Sequence, residues 1–255
     1  MVDGRSIEML DTRSKGRLST FQKESFMNTT VILLLVLSQI PVGGKSPLLV
    51  TREPLYIARV QYYGGDYYTD PTALPNLAAF ASEKTGTTWK PLDGSATLLD
   101  PKLSSYPVLY LTGHGDIQFK NAEILALRQY LEEGGSLLVN DNGPARSGNS
   151  IDAAFRREIA RVLPDHPLIE LPKDHPVFSC YFQFPDGIPQ IHRHDEEQPP
   201  RLFGIYVRGR LAVLYDWNSD IGNGWEDPQV HKDPEEKRQE ALRMGTNLLM
   251  YALLQ

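Results

Sequence analysis

The chain of 255 residues contains a single cysteine, Cys180. That excludes an intrachain disulfide and any zinc site built on clustered cysteines. Basic charge is also scarce: 26 Lys and Arg stand against 32 Asp and Glu, for a net charge of −6. With no basic stripe to neutralise phosphates, nucleic acid is excluded as a partner, and attachment to anionic lipid is disfavoured. Long apolar runs are missing too. The longest, Val31 to Leu37, is far shorter than the ~20 residues that cross a bilayer, so no stable transmembrane span is predicted. There is no Gly-Lys-Ser phosphate loop, no internal repeat and no low-complexity tract. Gly113-His114-Gly115 lacks the third glycine of a dinucleotide fingerprint.

What is present divides the chain in two. Arg5, Arg13, Lys15, Arg17 and Lys23 precede the Val31–Leu37 run, and small residues follow it at Pro41-Val42-Gly43-Gly44. Basic stretch, short apolar run and small-residue exit together describe a secretory signal peptide, cleaved after Gly44. Met27 is an alternative start, and a membrane anchor is the alternative role of the run. The expected organisation is a leader over 1–44 and one α/β domain over 45–255, exported to the periplasm or secreted.

Within 45–255 strand and helix patterns alternate. Leu55 to Tyr63 is β-rich and stops at Gly64-Gly65-Asp66. Leu74, Leu77, Ala78 and Ala81 fall on one face of a helix ending at Gly86. Ala96 to Leu99 predicts a short strand, and Pro107 to Thr112 a buried one. Asn121 is placed to cap a helix that carries Ile124, Leu127 and Leu131 and runs to Glu133, with Gly134 beyond its end. Ser136 to Val139 has the unbroken apolar character of a strand covered on both faces. Asp152 is a cap for a helix with Phe155, Ile159 and Val162. Val177 to Phe182 is β-rich, and His192 to Pro200 predicts a solvated loop, with metal binding by His192-Arg193-His194-Asp195 the alternative. Leu202–Val207 and Arg210–Tyr215 suit a hairpin around Arg208-Gly209. Asp233-Pro234-Glu235-Glu236 opens a terminal helix, with Asp233 as cap and Pro234 at its first position. This alternation predicts a three-layer α/β sandwich with a mostly parallel sheet.

Four segments carry a resemblance. They are Gly64-Gly65-Asp66-Tyr67-Tyr68, Pro71 to Leu77, Tyr110-Leu111-Thr112-Gly113-His114-Gly115, and Gly134 to Asp141. Asp174-His175-Pro176, Gly209 to Val213 and Gly245-Thr246-Asn247 continue it. The chain from about Leu55 onward resembles an uncharacterised bacterial family, domain of unknown function 4159. That family is similar in layout to class I glutamine amidotransferase-like domains. The resemblance implies a flavodoxin-like sheet, a C-terminal hairpin and a terminal helix, without an established activity. Its members are often exported or attached to membrane segments, in line with the leader.

An amidotransferase needs a cysteine on a tight strand-to-helix turn. The corresponding turn, Asn140 to Gly143, has amides and a carboxylate instead, and Cys180 suits a small buried packing residue. Glutaminase activity is therefore not expected. The ionisable groups cluster elsewhere. Asp66, His114 and Asp141 each follow an apolar strand, and parallel strands empty their C-terminal ends onto one edge. Tyr68 and Asn140 join them as candidate ligand contacts. Such a trio has three readings: a binding pocket, a hydrolase with His114 as base, or a divalent-metal site to which His175 adds a ligand. Purely structural roles stand beside these: Asp66 as a helix cap, Asp141 on turn amides, and His114 held by carbonyls. Asp216, Asn218 and Asp220 have the spacing of a calcium loop, but Ile221 replaces its glycine. Asp216, Trp225 and Glu226, with Trp217, also suit a sugar site in which rings stack beside carboxylates. The expected function is a non-catalytic module binding a small molecule or an envelope protein.

Overall fold

A computed structural model describes residues 53–143 and 151–255. The leader over 1–44 lies outside them. The strands and helices follow the predicted alternation. They are β1 (Leu55–Gln61), β2 (Tyr63–Gly65), α1 (Ala73–Thr85), β3 (Trp89–Pro91), β4 (Ala96–Thr97), β5 (Val108–Leu111) and β6 (Gly115–Gln118). Then come α2 (Asn121–Glu132), β7 (Ser136–Asn140), α3 (Ile151–Val162), β8 (Ile169–Glu170), β9 (Arg201–Val207) and β10 (Arg210–Trp217). Three helices close the chain: α4 (Ile221–Trp225), α5 (Pro228–His231) and α6 (Glu235–Leu254).

The main sheet runs β3-β1-β5-β7-β10-β9-β8, with β4 also pairing β1. All pairs from β3 to β10 are parallel, and β9 and β8 extend the sheet antiparallel. Its two faces bury separate cores. Ala58, Leu109, Leu111, Leu137 and Val139 pack under α2 and α3, with Leu127, Leu131, Phe155 and Ile159. Ile57, Val108, Tyr110, Leu138 and Leu214 pack under α1, α4 and α6, with Leu77, Trp225, Met244 and Leu248. This is a three-layer sandwich. It explains the unbroken apolar sequence of β5, whose four side chains are all buried because both faces are covered. Each such burial contributes ~1.5–3 kcal/mol.

Several predicted boundaries move, each for a local reason. Asn121 is the first helical residue of α2, and extended Lys120 takes the cap position, where Glu123 accepts its N–H at 2.7 Å. At α6, Pro234 occupies the cap position, because the Asp233 carboxylate pairs with His192 and Lys237 instead. Asp152 lies in the first described turn of α3, and its carboxylate holds Arg156 and the Tyr215 hydroxyl. The segment around Cys180 is not a strand: Pro176–Phe178 forms one 3-10 turn followed by bends. Among the described residues no helix is long and apolar enough to cross a membrane.

Candidate functional site

The chain leaves β1 for α1 on one face of the sheet and leaves β5 for α2 on the other. Diverging connections open a crevice between the C-terminal ends of adjacent strands, the place where open α/β sheets receive ligands. Here that crevice is a shallow, solvent-open hollow of about 630 Å³. It is lined by residues 61–67, His114 and Gly115.

Its base is built from two facing turns. β2, just after β1, pairs antiparallel with β6, just after β5. Asp66 and His114 are locked together across them. The Asp66 N–H donates to the His114 carbonyl at 3.3 Å, the His114 N–H donates to Asp66 Oδ1, and His114 Nδ1 lies 3.1 Å from Asp66 Oδ2. A carboxylate only accepts, so Nδ1 carries the proton and Nε2 is the ring's remaining polar atom. The imidazole is half exposed, at 51 %. Gly113, at φ +138°, makes the approach feasible: a Cβ there would overlap Tyr62 Oη and crowd Asp66 Oδ1. Tyr62 Oη donates to the Thr112 carbonyl at 3.1 Å, and burial pushes its ionisation well up. Arg59, buried on β1, donates to the Tyr67, Thr69 and Asp70 carbonyls at 3.0, 2.5 and 2.8 Å, fixing the loop that forms one wall. Tyr63 and Tyr68 stand out at 72 % and 68 % exposure, and Tyr68 meets Tyr67 edge-on.

Asp141 does not join this pair. It is fully buried beside β10, where its carboxylate accepts from the Gly143 and Asn218 N–H groups at 3.2 and 3.3 Å and its own N–H donates to Asp216 Oδ1. Burial, opposed by the His194 charge, pushes its pKa up to about 7. The expected trio is thus a duo. Asp141 belongs to a separate buried network that ties the turns after β1, β5, β7 and β10 together. Asn142 donates to Asp70 at 2.5 Å and accepts from Thr112 at 2.6 Å. Asn140 donates to Asp220 at 2.8 Å and accepts from the Gly222 N–H at 2.8 Å. His194 Nε2 closes it, 3.1 Å from both Asp220 Oδ2 and the Asp141 carbonyl. Burial raises Asp70 and Asp216 above the ordinary carboxylate range. Burial alone would lower His194, but the Asp220 and Asp141 charges outweigh it, and the imidazole is raised.

The other candidates disperse. His175 sits at the opposite edge of the sheet: its Nε2 meets the Tyr206 hydroxyl at 2.8 Å, and Tyr206 pairs with Leu211 at the start of β10. Asp216, Asn218 and Asp220 point at different partners. Asp216 Oδ2 accepts from the Ile221 N–H, and Asn218 Oδ1 from His194 and Asp195. Neither metal set is assembled, and among the described residues no three histidine, cysteine or acidic side chains are grouped to hold an ion. Trp225 is 1 % exposed, with its Nε1 donating to the Ala241 carbonyl at 2.8 Å, so it has no face for a sugar. Trp217 packs edge-on against Phe203 beneath the Arg201 guanidinium. Glu226 is a cap rather than a ligand contact: it accepts from Thr72 and Ala73 N–H, at 2.9 and 2.8 Å, at the start of α1. Cys180 donates to the Asn247 carbonyl at 3.4 Å, and burial pushes its thiol up to about 11.

Sequence reasoning set His194 aside within a solvated loop and did not single out Asp70 or Asn142. Polarity around 192–200 signalled a solvated loop. No local sequence signal marked His194, because its partners Asp141 and Asp220 lie 53 and 26 residues away.

The chain belongs to the family described as domain of unknown function (DUF4159), whose model matches residues 56–253. No curated protein matches the sequence.

Proposed function

We propose that this protein is an exported, non-catalytic binding module that takes a small molecule or an envelope protein in the hollow between β1 and β5. The observation carrying this reading is the locked Asp66–His114 pair, with exposed Tyr63 beside it, at the switch point of the sheet. Counted along the chain, the five parallel positions run 2-1-3-4-5. That is the flavodoxin-like order, in which ligands bind beside the first strand. It supports the amidotransferase-like layout. The turn after β7, where an amidotransferase has its nucleophile, carries buried Asp141 and Asn142.

A second reading follows from the same pair. A histidine whose Nδ1 is held by a carboxylate can act through Nε2 as a general base on water, in a hydrolase. The binding reading is preferred because the hollow is shallow and open to solvent, whereas a catalytic site shields its reacting groups from bulk water.

Amide NMR of the full chain against a library of small polar fragments tests the proposal. Binders are expected to shift residues 61–67 and 113–116 and to lose affinity in His114→Ala. Fragments that cluster anywhere else on the surface would refute it. Turnover of ester or amide fragments that vanishes in His114→Ala would favour the hydrolase.

A further inference from the structure

We infer that the ligand of this hollow is a neutral oligosaccharide, an inference that rests on the binding reading above. The chemistry of the lining selects it. Neither lysine nor arginine lines the hollow, so no cation is positioned to neutralise a phosphate or carboxylate ligand. Two features are present together instead. Tyr63 and Tyr67 are tyrosine rings of the wall, the first largely exposed, and such rings pack against the C–H faces of a sugar. Between them lie groups of both hydrogen-bonding senses. Each Asp66 oxygen accepts one bond from His114, and a carboxylate has about four lone-pair sites, so acceptor capacity remains. His114 Nε2 and the Gln61 amide complete the set. Sugar hydroxyls donate and accept, and so match such a mixed lining.

The closest competing occupant is a proline-rich peptide, which also docks on tyrosine-lined grooves. Its backbone presents carbonyl acceptors and few N–H donors, so the Asp66 carboxylate, itself only an acceptor, would be left without a partner from the peptide. Shape agrees with the sugar. The hollow is shallow and open, whereas sites for compact small molecules engulf most of the ligand surface. An open hollow of this kind leaves the ends of a longer chain in solvent.

The test titrates the full chain with cellohexaose, chitohexaose, maltoheptaose and a proline-rich decapeptide, followed by amide NMR. At least one saccharide is expected to give saturable shifts confined to residues 61–67 and 113–116. Tyr63→Ala, at a largely exposed position where folding is unaffected, is expected to weaken that binding about tenfold, as loss of one stacking face predicts. Polar fragments that occupy the hollow while every saccharide fails would overturn the sugar assignment and leave the binding reading intact. Saturable binding of the peptide alone would overturn it equally. Failure of fragments and saccharides together would sink both.

Discussion

Asp141 shows how much one buried carboxylate alters the behaviour of the domain. Its pKa is raised to about 7, so at pH 6 the folded chain retains a proton that the unfolded chain has released. A group with a raised folded value stabilises most at low pH and loses that contribution as pH climbs through the folded value. His194, also raised, acts in the same direction above about pH 6.5. His175, lowered by burial, opposes them only below about that pH. Stability measured by urea unfolding should therefore fall between pH 6 and pH 8, with Asp141 contributing to the loss beside His194 and the likewise raised Asp216. Asp141→Asn should flatten that slope. It should also lower stability at pH 6, since one of the Gly143 and Asn218 N–H groups would face an amide N–H instead of an oxygen. An unchanged slope in the variant would contradict the assignment. The sequence marked Asp141 as special from its place after an apolar strand. It could not show that Asp141 turns toward β10, because that depends on Asn218 and Asp216, which arrive much later in the chain.

At the scale of elements, α1 begins beside β1 at a helix N-terminus, the kind of place where open α/β sheets hold an anion. This chain fills that position from within. Glu226 accepts from Thr72 and Ala73 N–H, and Arg238 in turn donates to the Glu226 carbonyl at 2.8 and 3.2 Å. An external phosphate is thereby excluded from that helix end. Glu226→Ala, which takes the carboxylate cap from the Thr72 N–H and leaves the Ala73 N–H only the Asp70 carbonyl at 3.2 Å, should cost about 0.5–2 kcal/mol in thermal or urea unfolding, and Glu226→Gln, which keeps an acceptor oxygen, should cost less. Equal stability of all three proteins would show that α1 does not depend on this cap. Local sequence announced α1 itself clearly, through Leu74, Leu77, Ala78, Ala81 and the left-handed Gly86 at its end. The hairpin around Arg208-Gly209 was equally legible, since both residues take positive φ. The cap was not, because its two partners lie 153 and 154 residues apart in sequence. The start of α6 moved for a similar reason, Asp233 being engaged by His192 from a distant loop.

For the molecule as a whole, alternating strands and helices sufficed to foresee the layered sandwich, because a parallel sheet covered on both faces leaves unbroken apolar strands in the sequence. The same geometry brought Asp66 and His114 together, as expected from strands that end on one edge. It separated Asp141 from them, since β7 lies on the far side of β5 from β1. The edge therefore carries two distinct regions: an open hollow over β1 and β5, and a buried polar network under the ends of β7 and β10. Under the proposed function, recognition falls to the first and rigidity to the second. Crystals of the full chain soaked in small organic probes would test that division most directly. The account predicts that probes collect against Tyr63, Asp66 and His114, with Asp66 and His114 still joined. Probes that avoid this hollow and gather at another surface would contradict it.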